Sequence, residues 1–200
     1  MTAAAARKGR LIALEGSGGR AMAVAAKFLM RECRRQDTEI GNSAWDASDI
    51  FFQIASGARG IPAPPPRTLI HLYACDLAFR LRWQIRPALE EGTTVIAAPY
   101  VETAIAFGRG AGLPHSWLRE IFSFAPAPDV CYRVPESTIP VERRGKPSDS
   151  FLEFCFAQLR SGPGYWETEQ IRRGFHIHLE SRARCSVVPQ LLSGLAVTAG

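Results

Sequence analysis

The segment Arg10–Ala26 constrains this chain more than any other stretch. Leu11, Ile12, Ala13 and Leu14 form a short apolar run of the kind that fills a strand buried on both faces. Glu15-Gly16-Ser17-Gly18-Gly19 follows, a composition that suits only a tight turn. From Arg20 to about Arg35 the residues favour helix, with Ala21, Met22, Ala23, Ala25, Ala26, Leu29 and Met30. A strand that hands a glycine turn to a helix N-terminus makes an anion cradle. Backbone N–H groups converge there, and the helix dipole adds about half a positive charge.

Glu15, Gly16, Ser17, Gly18, Gly19 and Arg20 are therefore the candidate phosphate-binding residues. The full phosphate-loop pattern, G-x-x-x-x-G-K-[ST], asks for a lysine and a hydroxyl as well. Here the run from Gly16 to Gly19 is shorter, Arg20 stands where a lysine is wanted, and Ala21 has no hydroxyl. Arg20 is the candidate catalytic residue because its charge can partly stand in for that lysine. Two readings stay open: a working cradle, whose N–H groups bind an anion without lysine, or a turn that only joins strand to helix.

Along the chain, Thr38–Ile40 is a candidate short strand in a polar stretch broken by Gly41 and Asn42, and Asp49–Ser56 a short helix. Gly60–Pro66 reads as a stiff connector. Leu69, Leu72, Tyr73, Leu77, Leu81 and Ile85 keep helical period, so Thr68–Glu91 is the longest helix, kinked near Arg86 by Pro87 and stopped by Gly92. Thr93–Ala98 reads as a buried strand, Val101–Phe107 as helix, and Gly108–Gly112 as a flexible loop. Pro114–Phe124 is the next helix, Asp129–Val134 a third buried strand, and Glu136–Ser150 a polar, lid-like segment. Phe151–Arg160 and Tyr165–Arg172 are helices, Phe175–Leu179 a strand, and Val187–Val197 a closing helix. Strands alternating with helices predict a parallel sheet covered on both faces, in one domain over residues 1–200.

The formal charge is +5, with 46% hydrophobic and 22% charged residues, the balance of a globular chain. Basic clusters at Arg31, Arg34 and Arg35, and at Arg80, Arg82 and Arg86, suit either a solvated helix face or a phosphate-bearing ligand. No basic stripe interleaved with aromatics points to nucleic acid. The five cysteines lack a C-x-x-C pair, which suggests reduced, buried thiols and a cytoplasmic protein. No run approaches the roughly 20 apolar residues of a membrane helix, and Met1–Lys8 lacks the order of a signal peptide.

The middle of the chain resembles a thymidylate kinase. The likeness is carried by Leu72-Tyr73-Ala74-Cys75-Asp76, by Ile85-Arg86-Pro87-Ala88-Leu89-Glu90-Glu91-Gly92, and by the strand ending Ala98-Pro99-Tyr100. Phe107–Leu113, Ala127-Pro128-Asp129-Val130, Arg144-Gly145 and Ser150–Tyr165 extend it. The resemblance implies a three-layer αβα fold with a five-stranded parallel sheet, like other P-loop nucleoside kinases, and usually a homodimer. It implies ATP and magnesium as cofactors and transfer of the γ-phosphate to thymidine monophosphate or a related nucleotide. It makes Tyr73, Asp76, Tyr100, Thr103 and Arg109 candidate substrate contacts, with Tyr73 stacking on a base unless it is core. Arg143 and Arg144 would belong to the lid.

The chain departs from that family at its chemistry. Ala21 and Ala23 cannot ligate magnesium, Ala98-Pro99 replaces an Asp-Arg pair, Leu77 replaces an arginine, and the lid lacks Asp-Arg-x-Glu. Phosphoryl transfer depends on positioning and charge, so these departures predict impaired catalysis. The alternative is a non-catalytic relative that binds a nucleotide or a protein partner. His176, His178 and Glu180 alternate and would share one strand face, but the polar side of an edge strand explains them without a metal, and none is assigned. Cys75 reads as a small core residue, and Ser17 lacks the G-x-S-x-G elbow of a nucleophile.

Overall fold

In the computed structural model, residues 9–57, 64–135, 151–160, 165–181 and 186–187 are described. Strand β1 (Leu11–Glu15) feeds helix α1 (Gly19–Arg35) and is buried along its whole length. β2 (Ile40–Ala44) and α2 (Ile50–Gly57) follow, then α3 (Pro66–Arg80). A π-helical turn, Leu81–Ile85, joins α3 to α4 (Arg86–Glu90) without a break. Next come β3 (Thr94–Ala98), α5 (Val101–Gly110), α6 (His115–Ile121) and β4 (Val130–Arg133). α7 (Phe151–Arg160), α8 (Tyr165–Glu180) and β5 (Ser186–Val187) complete the described chain.

The sheet order is β2-β3-β1-β4-β5, with every pairing parallel. Four strands carry it, and β5 adds a two-residue pairing at the edge. Alternation along β1 sends its residues to opposite faces. Ile12 and Leu14 pack with Ile96 and Ala98 under Met22, Ala25 and Ala26 of α1. Leu11 and Ala13, with Val95 and Ala97, face a larger core drawn from α3, α5, α7 and α8. The result is the expected three-layer αβα arrangement.

Several elements differ from the sequence reading, each for a packing reason. The second strand lies at Ile40–Ala44, not Thr38–Ile40, because five residues there pair with β3 from Thr94 to Ala98. That partner overrides the poor strand propensity of Gly41 and Asn42. Pro66 is the first residue of α3 and not the end of a connector, a position where its missing N–H costs nothing. β4 is only half-buried.

The stretch from Gly108 to Gly110 is helix, not loop. A Cβ on Gly108 would lie 2.5 Å from Leu118 Cδ2, and one on Gly110 would strike the Ile171 carbonyl oxygen and Phe175 N of α8. These glycines serve a close helix–helix approach, met from the other side by Gly174, whose Cβ would lie 2.7 Å from Gly110 Cα. The expected strand at Phe175–Leu179 is instead the last turn and a half of α8. Phe175 and Leu179, four apart, are buried, while Ile177 between them is 65% exposed. That is helical periodicity. Val187 likewise lies in β5 and does not open a helix.

The expected break near Arg86 takes the form of the π turn. Pro87 has no N–H to give the preceding turn, and the Arg86 N–H reaches back five residues to the Leu81 carbonyl. Gly92, at φ 86°, ends α4, with Gly92 N–H bonded to Leu89 O and Thr93 N–H to Ala88 O. The cysteine expectation fails in part: Cys131 is disulfide-bonded, and Cys75 is exposed and not core. The lid-like segment 136–150, the closing helix beyond 187 and most of the connector 60–63 lie outside the described residues.

Candidate functional site

The site forms at the C-terminal edge of the sheet, where the chain leaves β1 toward one side and β3 toward the other, the place open α/β sheets reserve for ligands. Glu15 ends β1 and is fully buried. Its Oε2 accepts hydrogen bonds from Tyr100 N–H (3.2 Å), Thr103 N–H (2.9 Å) and Thr103 Oγ1–H (2.6 Å). Its Oε1 accepts the Glu102 N–H at 3.0 Å. Thr103 Oγ1 in turn accepts the Gly16 N–H at 3.1 Å, which ties the glycine turn to the first turn of α5. Burial raises the Glu15 carboxyl to about 7, against the hydrogen bonds from Thr103 and Glu102, which favour the ionised form.

The glycine turn delivers α1 as expected. Gly18 is its N-cap, and the cap makes no side-chain hydrogen bond; Met22 N–H closes the first helical bond onto Gly18 O at 2.9 Å. The first-turn amides of α1 therefore have no partner within the helix. Gly18 and Gly19 are half-buried, Ser17 is buried, and Arg20 is exposed in that first turn. The structure thus brings Glu15, Gly16, Tyr100 and Thr103 into one network, with Ser17, Gly18, Gly19 and Arg20 following directly on it.

Tyr73 and Asp76 sit behind this network on α3, both fully buried. The Tyr73 hydroxyl donates to the Tyr100 carbonyl at 2.7 Å, and its ring packs against Phe151 (centroids 4.5 Å apart) and Phe122. Burial pushes both tyrosine hydroxyls well above their usual range. Of the two readings for Tyr73, the ring occupies the core one. Asp76 accepts from Asp46 N–H, Ser48 N–H and Ser48 Oγ–H at 2.9–3.0 Å and so pins the turn between β2 and α2. Asp46 then caps α2 by accepting from Phe51 N–H and Phe52 N–H. Arg109 is not part of this group: it lies six residues past Thr103, about 9 Å along the α5 axis. Arg143 and Arg144 lie outside the described residues.

The sequence reading missed Ser43 and Arg80. Arg80 is fully buried and donates to Ser43 Oγ (3.0 Å), Ser43 O (2.7 Å) and Pro99 O (2.9 Å). A signal existed: Leu69, Tyr73, Leu77 and Leu81 mark the inward face of α3, and position 80 continues that face from Tyr73 and Asp76. An arginine there had to be buried or the helix rotated.

The metal expectation fares differently. Magnesium wants hard oxygen ligands in octahedral array, and the first turn of α1 offers Gly19, Arg20 and Ala21, without hydroxyl or carboxylate. Both Glu15 oxygens are taken by α5. The donor set at the cradle does not fit a magnesium–triphosphate. Among the described residues no three His, Cys, Asp or Glu side chains cluster to hold a metal, and His176 and His178, two apart on a helix, point to different sides. No described helix is long and apolar enough to cross a membrane.

No protein-family model matches the chain. The probable thymidylate kinase of Pyrococcus abyssi is 29% identical over 167 residues, covering 74% of this chain and 75% of that one. Probable thymidylate kinase 2 of Saccharolobus solfataricus is 26% identical over 142 residues, covering 70% and 66%. The crystal structure of thymidylate kinase from Ehrlichia chaffeensis superimposes with a TM-score of 0.60 at 16% identity, over 95% of this chain and 98% of that one, a match of fold. The sheet order and these relatives converge: the chain is similar to the thymidylate kinases in sequence and shares their fold.

Proposed function

We propose that the chain binds a nucleoside monophosphate, thymidine monophosphate first, at the C-terminal edge of the sheet, and transfers phosphate from ATP weakly or not at all. One observation carries the reading. The glycine turn is held in shape by the Gly16–Thr103–Glu15 network, yet the first turn of α1 has neither lysine nor metal-ligating oxygen. Removing one preorganised electrostatic donor typically costs on the order of 100- to 1000-fold in rate. Several such losses leave little turnover even though they do not add.

An active kinase, with exposed Arg20 supplying charge at the cradle, is the second reading, and the names of the relatives favour it. A protein partner in place of a nucleotide is the third. The family resemblance also suggests a homodimer; Phe79 and Trp83, exposed on the outer side of α3 and the π turn, supply apolar surface for it.

Thermal-shift titration with thymidine monophosphate and with Mg-ATP, beside a coupled kinase assay, separates these readings. Monophosphate at 100 times its dissociation constant should add about 2.7 kcal/mol of stability, with Mg-ATP adding little. Turnover at ordinary kinase rates would refute impaired catalysis. No response to either ligand would leave the partner role.

A further inference from the structure

The outward face of α1 carries five exposed cations, Arg20, Lys27, Arg31, Arg34 and Arg35, and the helix has a single acid, the half-buried Glu32. At 3.6 residues per turn and 1.5 Å per residue, positions 20, 27, 31 and 34 fall on one line about 21 Å long. Met22, Ala25 and Ala26, which face the core, lie on the opposite side. Lys27, Arg31, Arg34 and Arg35 surround Met30 in a shallow depression of about 520 Å³.

The fold does not account for these charges. Arg34 and Arg35, in the last turn, answer the helix dipole, but Arg31 and Lys27 stand one and two turns earlier, where that field has faded. Glu32 Oε1 meets Arg35 Nη1 at 2.9 Å and Arg31 Nε at 3.8 Å. The Arg20, Lys27 and Arg34 side chains have no hydrogen bond or ion pair among the described residues. Like charges along one helix face repel one another, and an anionic partner relieves that repulsion.

The face lacks what other partners need. The core of a protein–protein contact is depleted of charge and rich in aromatic side chains, and Val24, 37% exposed, is the one exposed large apolar residue on α1. Single strands stack on exposed rings, whereas Phe28 is half-buried with Arg31 Cζ 5.6 Å from its centroid. A bilayer grips an amphipathic helix by its apolar side, which α1 has turned into the core. The backbone of a nucleic-acid duplex asks only for cations, with one negative charge every 1.7 Å or so along its axis, and guanidinium forks match its phosphates. We propose that the outer face of α1, centred on Lys27, Arg31 and Arg34, is a docking surface for the phosphate backbone of a nucleic-acid duplex, whatever its sequence. This surface is separate from the sheet-edge site and does not depend on the monophosphate reading.

The test is fluorescence anisotropy of a labelled DNA duplex of about 20 base pairs, titrated with the full chain from about 50 to about 200 mM NaCl. Three phosphate contacts give a slope of about −2.7 in log affinity against log salt, a loss of roughly 40-fold over that range. Lys27→Ala should shrink the slope by about 0.9, and the triple variant Lys27→Ala, Arg31→Ala, Arg34→Ala should weaken binding at least about tenfold at the lowest salt. Glu32→Gln, which frees Arg31 and Arg35, should tighten binding about threefold, a gain that damage to the fold cannot mimic. Arg82→Ala, exposed on the π turn, should change nothing. Wild type that leaves the duplex unbound at the lowest salt would overturn the proposal, as would unchanged affinity in the folded triple variant or in Glu32→Gln. Tighter binding to single-stranded DNA of the same length, to phosphatidylserine vesicles or to polyglutamate would overturn it in favour of a strand, lipid or acidic-protein partner.

Discussion

Two glycine-rich stretches in this chain look alike on paper and sit in different surroundings. Gly16–Gly19 turns the backbone from β1 into α1, with the Gly16 N–H bonded to Thr103 Oγ1. Gly108 and Gly110 lie inside α5, where the missing side chains let α6 and α8 approach. Gly16, where a Cβ would lie 2.8 Å from Val134 O, supplies absence of volume as the α5 glycines do, whereas a Cβ on Gly18 would meet only Ala21 Cβ at 3.7 Å. Composition does not separate the two uses. The atoms that a Cβ would meet do.

The comparison breaks most readily at Gly110. Gly110→Ala drives a methyl into α8 main chain that cannot swing away, so overpacking should cost about 3 kcal/mol. For a chain of this length that lowers Tm by roughly 6–12 °C in calorimetry. If Gly110→Ala melts with the wild type, the close approach of α5 and α8 is wrong.

A smaller effect tests the network that holds the first stretch. The Glu15 carboxyl keeps its proton to about 7 in the folded protein, against 4.5 when unexposed to the fold. Between these values the folded state binds more protons than the unfolded one, so stability falls as pH rises. The extra stability is fully present below 4.5 and is lost as pH passes through about 7. Chemical denaturation across that window should show a loss on the order of 2 kcal/mol, and Glu15→Gln should flatten it. A Glu15→Gln profile that keeps the wild-type slope would assign the dependence to other groups.

The smallest change is expected at Gly18, where a Cβ would meet only Ala21 Cβ at 3.7 Å and φ is −96°. Gly18→Ala should shift stability by no more than about 0.5 kcal/mol. A large loss on denaturant unfolding would mean that this part of the turn is as crowded as α5.

Much of the architecture was legible. The apolar runs Leu11–Leu14 and Val95–Ala98 announce β1 and β3 because a strand covered on both faces must be apolar throughout. The stripe from Leu69 to Ile85, with Pro87 and Gly92 behind it, announces the long helix and its irregular turn. Relatives and fold then bear out the family resemblance. At the site, Glu15, Gly16, Tyr100 and Thr103 were singled out by local pattern and resemblance, and the structure joins them.

What stayed hidden depends on partners remote in the chain. Gly41 and Asn42 become strand because β3 offers a ladder, and Phe175–Leu179 becomes helix because α5 takes Phe175 and Leu179 on one face. The helical period places Arg80 on the inward face of α3, but its partners, Ser43 37 residues before it and Pro99 19 residues after it, are not legible locally. Local order is written in residues a few places apart, through propensity and period. Which polar groups meet in the interior is decided by chain segments that become neighbours only when the sheet assembles, and no local pattern encodes that meeting.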